Sequence, residues 1–151
     1  LCAEPHLIIA DEPTTALDVS IQAQIISLLK RLCSEHGTAV MLVTHDMGVI
    51  AEAAHRVAVM YAGRLVEVGP VEDVIRDAQH PYTRGLMGSI PHIGHDVDAL
   101  EQIPGSMPRL TAIPTGCAFH PRCSVAIDRC RTDRPDLRSS GGHAAACWLY
   151  Q

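Results

Sequence analysis

Leu7-Ile8-Ile9-Ala10-Asp11-Glu12-Pro13-Thr14-Thr15-Ala16-Leu17-Asp18 is the stretch on which the reading of this chain turns. The run from Leu7 to Ala10 is apolar without alternation, which predicts a short parallel strand buried on both faces. It ends on two adjacent acids and a proline, so two carboxylates stand at the carboxyl end of that strand. Asp18 then offers a side chain to cap a helix, and Gly37 a residue to stop it near His36. Between them Ile21, Ile25, Leu28, Leu29 and Leu32 recur at helical spacing and predict the buried stripe of that helix.

The same grammar repeats downstream. Ala39-Val40-Met41-Leu42-Val43 predicts a second buried strand, ending in Thr44-His45-Asp46, and a short helix follows over Gly48 to Ala54. Val57 to Tyr61 predicts a third strand, turned by Ala62-Gly63-Arg64 into a fourth over Leu65 to Val68. A helix is expected from Val71 to Ala78, and another from Pro81, a residue suited to the first helical position. Strand and helix in alternation predict an α/β fold with a doubly wound parallel sheet. Ligands of such sheets sit beyond the carboxyl ends of the strands, where both Asp11-Glu12 and Thr44-His45-Asp46 fall. From residue 91 to 116 the chain is rich in proline and glycine and reads as a linker. The expected division is therefore an α/β part over 1–90, the linker over 91–116, and a small irregular Cys-rich tail over 117–151.

Bulk properties bound the function. A chain of 151 residues with 47% hydrophobic residues can build one sizeable core. With one Trp, three Tyr and one Phe, that core must be mainly aliphatic. A net charge of −5 argues against nucleic acid or an acidic membrane as the main partner. No apolar run approaches the length of a membrane span, and no basic segment precedes an apolar one at the start. The chain opens on Leu1, with an apolar strand almost at once, and is expected to continue a longer N-terminal part.

An apolar strand ending in Asp-Glu resembles the Walker B element of P-loop NTPases. Asp11-Glu12-Pro13-Thr14-Thr15-Ala16-Leu17-Asp18 resembles, more narrowly, the Walker B and D-loop of the ABC ATPases, usually D-E-P-x-x-A-L-D. Val43-Thr44-His45-Asp46, one helix and one strand later, matches that family's switch-histidine loop. The resemblance implies that Asp11 contacts the Mg²⁺ shell of bound ATP, a hard cation that takes oxygen ligands. Glu12 would be the catalytic carboxylate that orients or deprotonates the attacking water, and His45 would hydrogen-bond the γ-phosphate. Asp18 would lie in the D-loop facing a second ATPase subunit in a head-to-tail dimer. No G-x-x-x-x-G-K-[ST] loop, no S-G-G-Q-like signature and no Q-loop glutamine occur, so the chain alone is expected to be inactive. Leu1-Cys2-Ala3-Glu4-Pro5 resembles the end of the helix after the signature.

Arg56 to Arg64, His80-Pro81-Tyr82-Thr83-Arg84, Ile103-Pro104-Gly105 and Gly116 to Cys123 are similar to the oligopeptide/dipeptide (and nickel) importer branch. His55 departs from it, standing where an acid is common. Membership implies an ATP-hydrolysing subunit that energises peptide import. It would be peripheral at the cytoplasmic face of a bacterial inner membrane and partnered by transmembrane permease subunits, indirectly by a peptide-binding protein, and by no nucleic acid. The alternative is a non-catalytic regulatory or metal-binding module that keeps the fold without turnover.

Of the six cysteines, Cys2 and Cys33 lie in apolar surroundings and read as buried core thiols. Cys117, Cys123, Cys130 and Cys147 are spaced C-x5-C-x6-C-x16-C and offer four thiolates to zinc or an iron–sulfur cluster, or remain unliganded. The absence of a C-x2-C knuckle leans away from zinc. In the importer branch similar tails are associated with a 4Fe–4S cluster, which the resemblance implies here. A helical stretch near Ser124 to Asp128 is expected between the ligands. Arg122, Arg129 and Arg131 are candidates to offset cluster charge, and His120 and His143 are possible substitute ligands.

Overall fold

The computed structural model describes residues 5–89 and 102–151. Cys2, most of the Leu1–Pro5 segment and the first part of the expected linker lie outside the described residues. The chain divides into two compact units, Leu1–Ala54 and His55–Gln151. The segments expected from composition, 1–90, 91–116 and 117–151, do not coincide with these units.

In the first unit, β1 (Leu7–Asp11) pairs in parallel with β2 (Ala39–Val43), from Leu7 opposite Ala39 to Asp11 opposite Val43. Helix α1 (Val19–His36) connects them and α2 (Met47–Ala53) follows. The Asp18 carboxylate accepts from the Ile21 N–H at 2.9 Å, and Gly37 closes the helix at φ +64° with its N–H returned to the Leu32 carbonyl. Asp46 caps α2 by accepting from Gly48 and Val49. The buried stripe of α1 is rotated from the expected one. Ile26, absent from that stripe, is 2% exposed, whereas Ile21 and Leu28 are exposed. Half-buried Ile25, Leu29, Leu32 and Cys33 flank Ile26 at helical spacing, so Cys33 is a partly covered thiol and not a fully buried one. The strands expected to be buried on both faces are covered on one only. Ile8, Ala10, Val40 and Leu42 are partly buried, while Leu7, Ile9, Met41 and Val43 on the alternate face are exposed.

In the second unit, β3 (Arg56–Tyr61) and β4 (Arg64–Pro70) form an antiparallel hairpin. Ala62 and Gly63 turn it with φ of +48° and +75°, both left-handed, as a tight two-residue hairpin requires. Helix α3 (Val71–Arg76) and α4 (Pro81–Gly88) come next, the latter capped by the His80 ring nitrogen accepting from the Tyr82 N–H at 3.1 Å. A short α5 (Arg129–Thr132) and a second hairpin, β5 (Arg138–Ser140) with β6 (His143–Ala145), lie in the Cys-rich segment. Strand β6 pairs with β4, giving a four-stranded antiparallel sheet of order β3-β4-β6-β5.

Two expectations are thereby corrected. Among the described residues parallel pairing is confined to β1 and β2; β3 and β4 join a separate antiparallel sheet instead of extending a doubly wound one. The physical reason is that β4 finds partners for both edges in β3 and in β6. The Cys-rich tail is not irregular throughout, since it supplies that outer hairpin, with Gly141 and Gly142 at φ +62° and +89° at its turn. The helical stretch expected near Ser124 to Asp128 is a turn, and the helix begins at Arg129.

The core of this unit gathers Val59, Tyr61, Ala62, Val66, Val74 and Phe119. Tyr61, Tyr82 and Phe119 meet with ring centroids 4.7 to 5.5 Å apart, so three of the few aromatics cluster at one point. Arg122 donates to the carbonyls of Pro104 and Ile103 at 2.7 and 3.2 Å and reaches the Tyr61 hydroxyl, fastening residues 103–104 to the hairpin.

Candidate functional site

The register of β1 and β2 brings the two polar strand ends together. Asp11 lies opposite Val43, and the Glu12 N–H continues the ladder by donating to the Val43 carbonyl at 2.8 Å. The chain then leaves the strand through Glu12 at φ +44° and Ala16 at φ +63°, left-handed positions rarely taken by side-chain-bearing residues. Turns from Thr15 N–H to the Glu12 carbonyl and from Leu17 N–H to the Thr14 carbonyl hold this reversal.

The result is a contact between two predicted site residues 33 positions apart: the Glu12 carboxylate lies 3.0 Å from His45 Nδ1. The second carboxylate oxygen accepts from the Thr15 hydroxyl at 2.9 Å. These two donors, Thr15 first and then His45, hold the Glu12 carboxyl below its ordinary value, so it is ionised at neutral pH. An ionised carboxylate only accepts, which puts the shared proton on His45 Nδ1 and leaves Nε2 free of it in the neutral ring. Asp11 stands at the same strand end, whereas the Asp18 carboxylate is engaged as the cap of α1. Asp46 also ties the loop to α1, accepting from Gln22 Nε2 at 3.1 Å. Thr15 and Gln22 were not singled out by the sequence. A hydroxyl three residues beyond Glu12, across a tight turn, was the available signal for Thr15.

The second cluster lies in the His55–Gln151 unit. Cys117, Cys123, Cys130 and Cys147 are all free thiols and line one pocket together with His80, His120 and Trp148. Gly116 makes the fold-back possible: at φ +70°, a side chain there would meet the Cys130 carbonyl at 2.4 Å, and Cys117 N–H donates to that same carbonyl at 2.9 Å. Burial pushes the Cys117, Cys123 and Cys147 thiols above their ordinary value, and the neighbouring sulfurs add to this. Backbone N–H groups of Phe119, Val125 and Leu149, respectively, pull the other way. Among the described residues no three His, Cys, Asp or Glu side chains are arranged to hold a metal ion, so the thiols share a pocket without meeting at one ion-sized point.

The auxiliary residues fall differently from expectation. Arg122 is committed to Pro104, Ile103 and Tyr61. Arg129 pairs with Asp133 at 3.4 Å and lies 3.5 Å over the Trp148 ring, and neither arginine nor Arg131 lines the pocket. His143 is not available as a ligand, because its Nε2 lies 2.7 Å from the Glu67 carboxylate. His120 does line the pocket, with Nδ1 2.9 Å from the Cys117 carbonyl.

Residues 66–130 match the family model described as the oligopeptide/dipeptide transporter, C-terminal region. The chain is 49% identical over 152 residues to the oligopeptide transport ATP-binding protein AppD of Bacillus subtilis, covering 100% of the chain and 46% of that protein. A putative peptide import ATP-binding protein of Brucella ovis is 52% identical over 158 residues, covering 100% of the chain and 47% of the relative. Another from Brucella abortus is 46% identical over 147 residues, with 97% and 44% covered. The chain thus spans about half the length of the curated relatives it matches. Among the described residues no helix is long and apolar enough to cross a membrane.

Proposed function

We propose that this chain forms the hydrolytic part of an ATP-binding subunit that energises peptide import through an ABC transporter. The observation that carries the reading is the 3.0 Å contact between Glu12 and His45 at the carboxyl ends of two adjacent parallel strands. With Mg²⁺-ATP as substrate, Asp11 faces the metal's hydration shell and Glu12 takes the proton of the attacking water. His45, held by Glu12 through Nδ1, donates its Nε2–H as the imidazolium to a γ-phosphate oxygen. The Asp18 turn faces a second ATPase subunit in a head-to-tail pair. Permease subunits anchor the assembly at the cytoplasmic face of the membrane and a peptide-binding protein delivers the solute.

In a protein of the relatives' full length, Glu12→Gln keeps the shape of the side chain and removes the base. ATP turnover is expected to fall roughly 10²–10⁴-fold while nucleotide binding survives. His45→Ala is expected to act similarly. Near-normal turnover in either variant removes the role given to that residue, and turnover by the 151-residue chain alone would refute its dependence on a phosphate loop elsewhere.

A second reading concerns the thiol pocket. Four free cysteines lining one pocket are the donor type of a 4Fe–4S cluster, with zinc as the alternative, and either would require the thiols to draw closer together than they stand here. Cys117, Cys123, Cys130 and Cys147 would hold it. Such a group, when bound, would supply a cross-link among the segments that carry the four thiols. Anaerobically purified protein is expected to contain iron and acid-labile sulfide. One zinc per chain selects the alternative, and metal-free thiols discard both.

A further inference from the structure

Glu67 is 0% exposed and belongs to neither site described above. Both carboxylate oxygens are used. One accepts from the Gln79 N–H and lies against His143 Nε2, each at 2.7 Å, and the other accepts from the His80 N–H at 2.9 Å. One buried carboxylate therefore joins β4, the turn between α3 and α4, and β6. Burying such a group is costly unless every lone pair is answered, and here it receives three donors.

The geometry of the sheet aims this junction. Glu67 pairs in register with Ala145, which puts its side chain on the same face as His143, one diagonal step away. The next residue of β4 on that face is Gly69, where a side chain would come within 2.9 Å of the His143 ring. The missing side chain is the space the imidazole occupies. Strand β6 meets β4 over only two residue pairs, Glu67 with Ala145 and Val68 with Ala144. The chain then runs through Ala146, whose N–H donates to the Val66 carbonyl at 2.9 Å, directly into Cys147. On its other side, Glu67 fixes the backbone of His80, whose ring lies tilted against Phe119 with centroids 5.7 Å apart and forms a wall of the thiol pocket.

We infer that Glu67 and His143 are a positioning pair that sets Cys147 and the His80 wall into the four-thiol pocket. The inference rests on the reading of that pocket as a ligand site, but its geometry can be tested without any ligand. Neither residue touches the thiols; each acts through the segment it holds.

The test is native-state alkylation of the metal-free full-length protein with N-ethylmaleimide, followed residue by residue by mass spectrometry. In the parent protein Cys147 is expected to react slowly relative to Cys33. In Glu67→Gln and in His143→Ala, Cys147 is expected to react about tenfold faster or more, the scale of losing a buried hydrogen bond to a charged group, with Cys33 unchanged. A role limited to global stability would instead release Cys117, Cys123, Cys130 and Cys147 in step, and only near the thermal transition. That pattern, or unchanged Cys147 protection in both variants, overturns the inference. Should Glu67→Gln fail to fold, His143→Ala decides alone, because it leaves the carboxylate bound to the α3–α4 turn. Anaerobic reconstitution of the parent protein with iron and sulfide, and separately its titration with cobalt(II), separate the two claims. A protected Cys147 with neither cluster nor thiolate-to-cobalt absorption keeps the positioning pair and removes the ligand reading.

Discussion

Two acid–histidine contacts among the described residues differ in their surroundings, and the difference separates a pair open to solvent from a fastening. Glu12 and His45 meet at 3.0 Å with side chains 46% and 78% exposed, at a strand end and on turns. Glu67 and His143 meet at 2.7 Å with side chains 0% and 7% exposed, inside an antiparallel sheet. A solvent-exposed pair contributes little to stability and is free to exchange its partners for a substrate. A buried pair is costly to separate, since breaking it strands a charge or a donor without water. The first unit thus presents its carboxylate, and the second unit uses one to hold the chain together.

Two left-handed glycines, one in each unit, offer the harshest way to break that contrast. Gly116→Ala drives a side chain into the Cys130 and Arg131 backbone, with nearest approaches of 2.4 and 2.8 Å at φ +70°. Overpacking against backbone, added to the left-handed strain, is expected to destabilise the His55–Gln151 unit by about 3 kcal/mol. Gly37→Ala at φ +64° meets nothing within 4 Å and is expected to cost only about 1 kcal/mol of backbone strain. Urea denaturation followed by hydrogen exchange in each unit checks both values. Equal losses at the two glycines would mean that the thiol pocket is not closely packed.

A smaller and pH-dependent effect sharpens the same contrast. Burial holds the His80 ring at about 4, below its ordinary 6.5, although the nearby Glu67 charge pulls upward, and its Nδ1 already accepts from Tyr82. The unfolded chain therefore binds a proton that the folded unit refuses between those two values. Stability from this source is complete above about pH 6.5 and is lost as pH falls towards 4, by at most about 3 kcal/mol. His80→Asn keeps a side-chain acceptor for the helix cap without titrating, and should flatten that part of the acid limb. Glu12, held below its ordinary carboxylate value, stays ionised through most of this window. An identical acid limb in the parent and in His80→Asn would show that the ring is not buried in its neutral form.

Local order was legible wherever a short-range rule decides it. Asp18, Gly37 and Pro81 mark helix ends through hydrogen bonds and backbone angles that involve only near neighbours, and α1 and α4 begin where these residues predict. The pairing of Glu12 with His45 was legible in part, because parallel strands connected through one helix bring their carboxyl ends side by side. The buried stripe of α1 was less so. Ile21, Leu28 and Ile26 are equally apolar, and which of them is covered depends on how the helix is rotated over the sheet.

By itself, the sequence determined the order of strands and helices from β1 to α4, the ends of α1 and α4, the Ala62-Gly63 hairpin turn and the spacing that allows four thiols to be gathered. Each of these follows from interactions within a few residues. The tertiary structure alone decided that β4 takes β6 as its second neighbour, and so that Glu67 is buried. In the stretch Arg64-Leu65-Val66-Glu67-Val68 a lone acid reads as a solvent-facing strand position. It becomes a buried junction because His143, 76 residues away, arrives on the same face and because Gly69 leaves room for its ring. Burial belongs to whatever packs against a residue, and that partner is chosen by the fold as a whole.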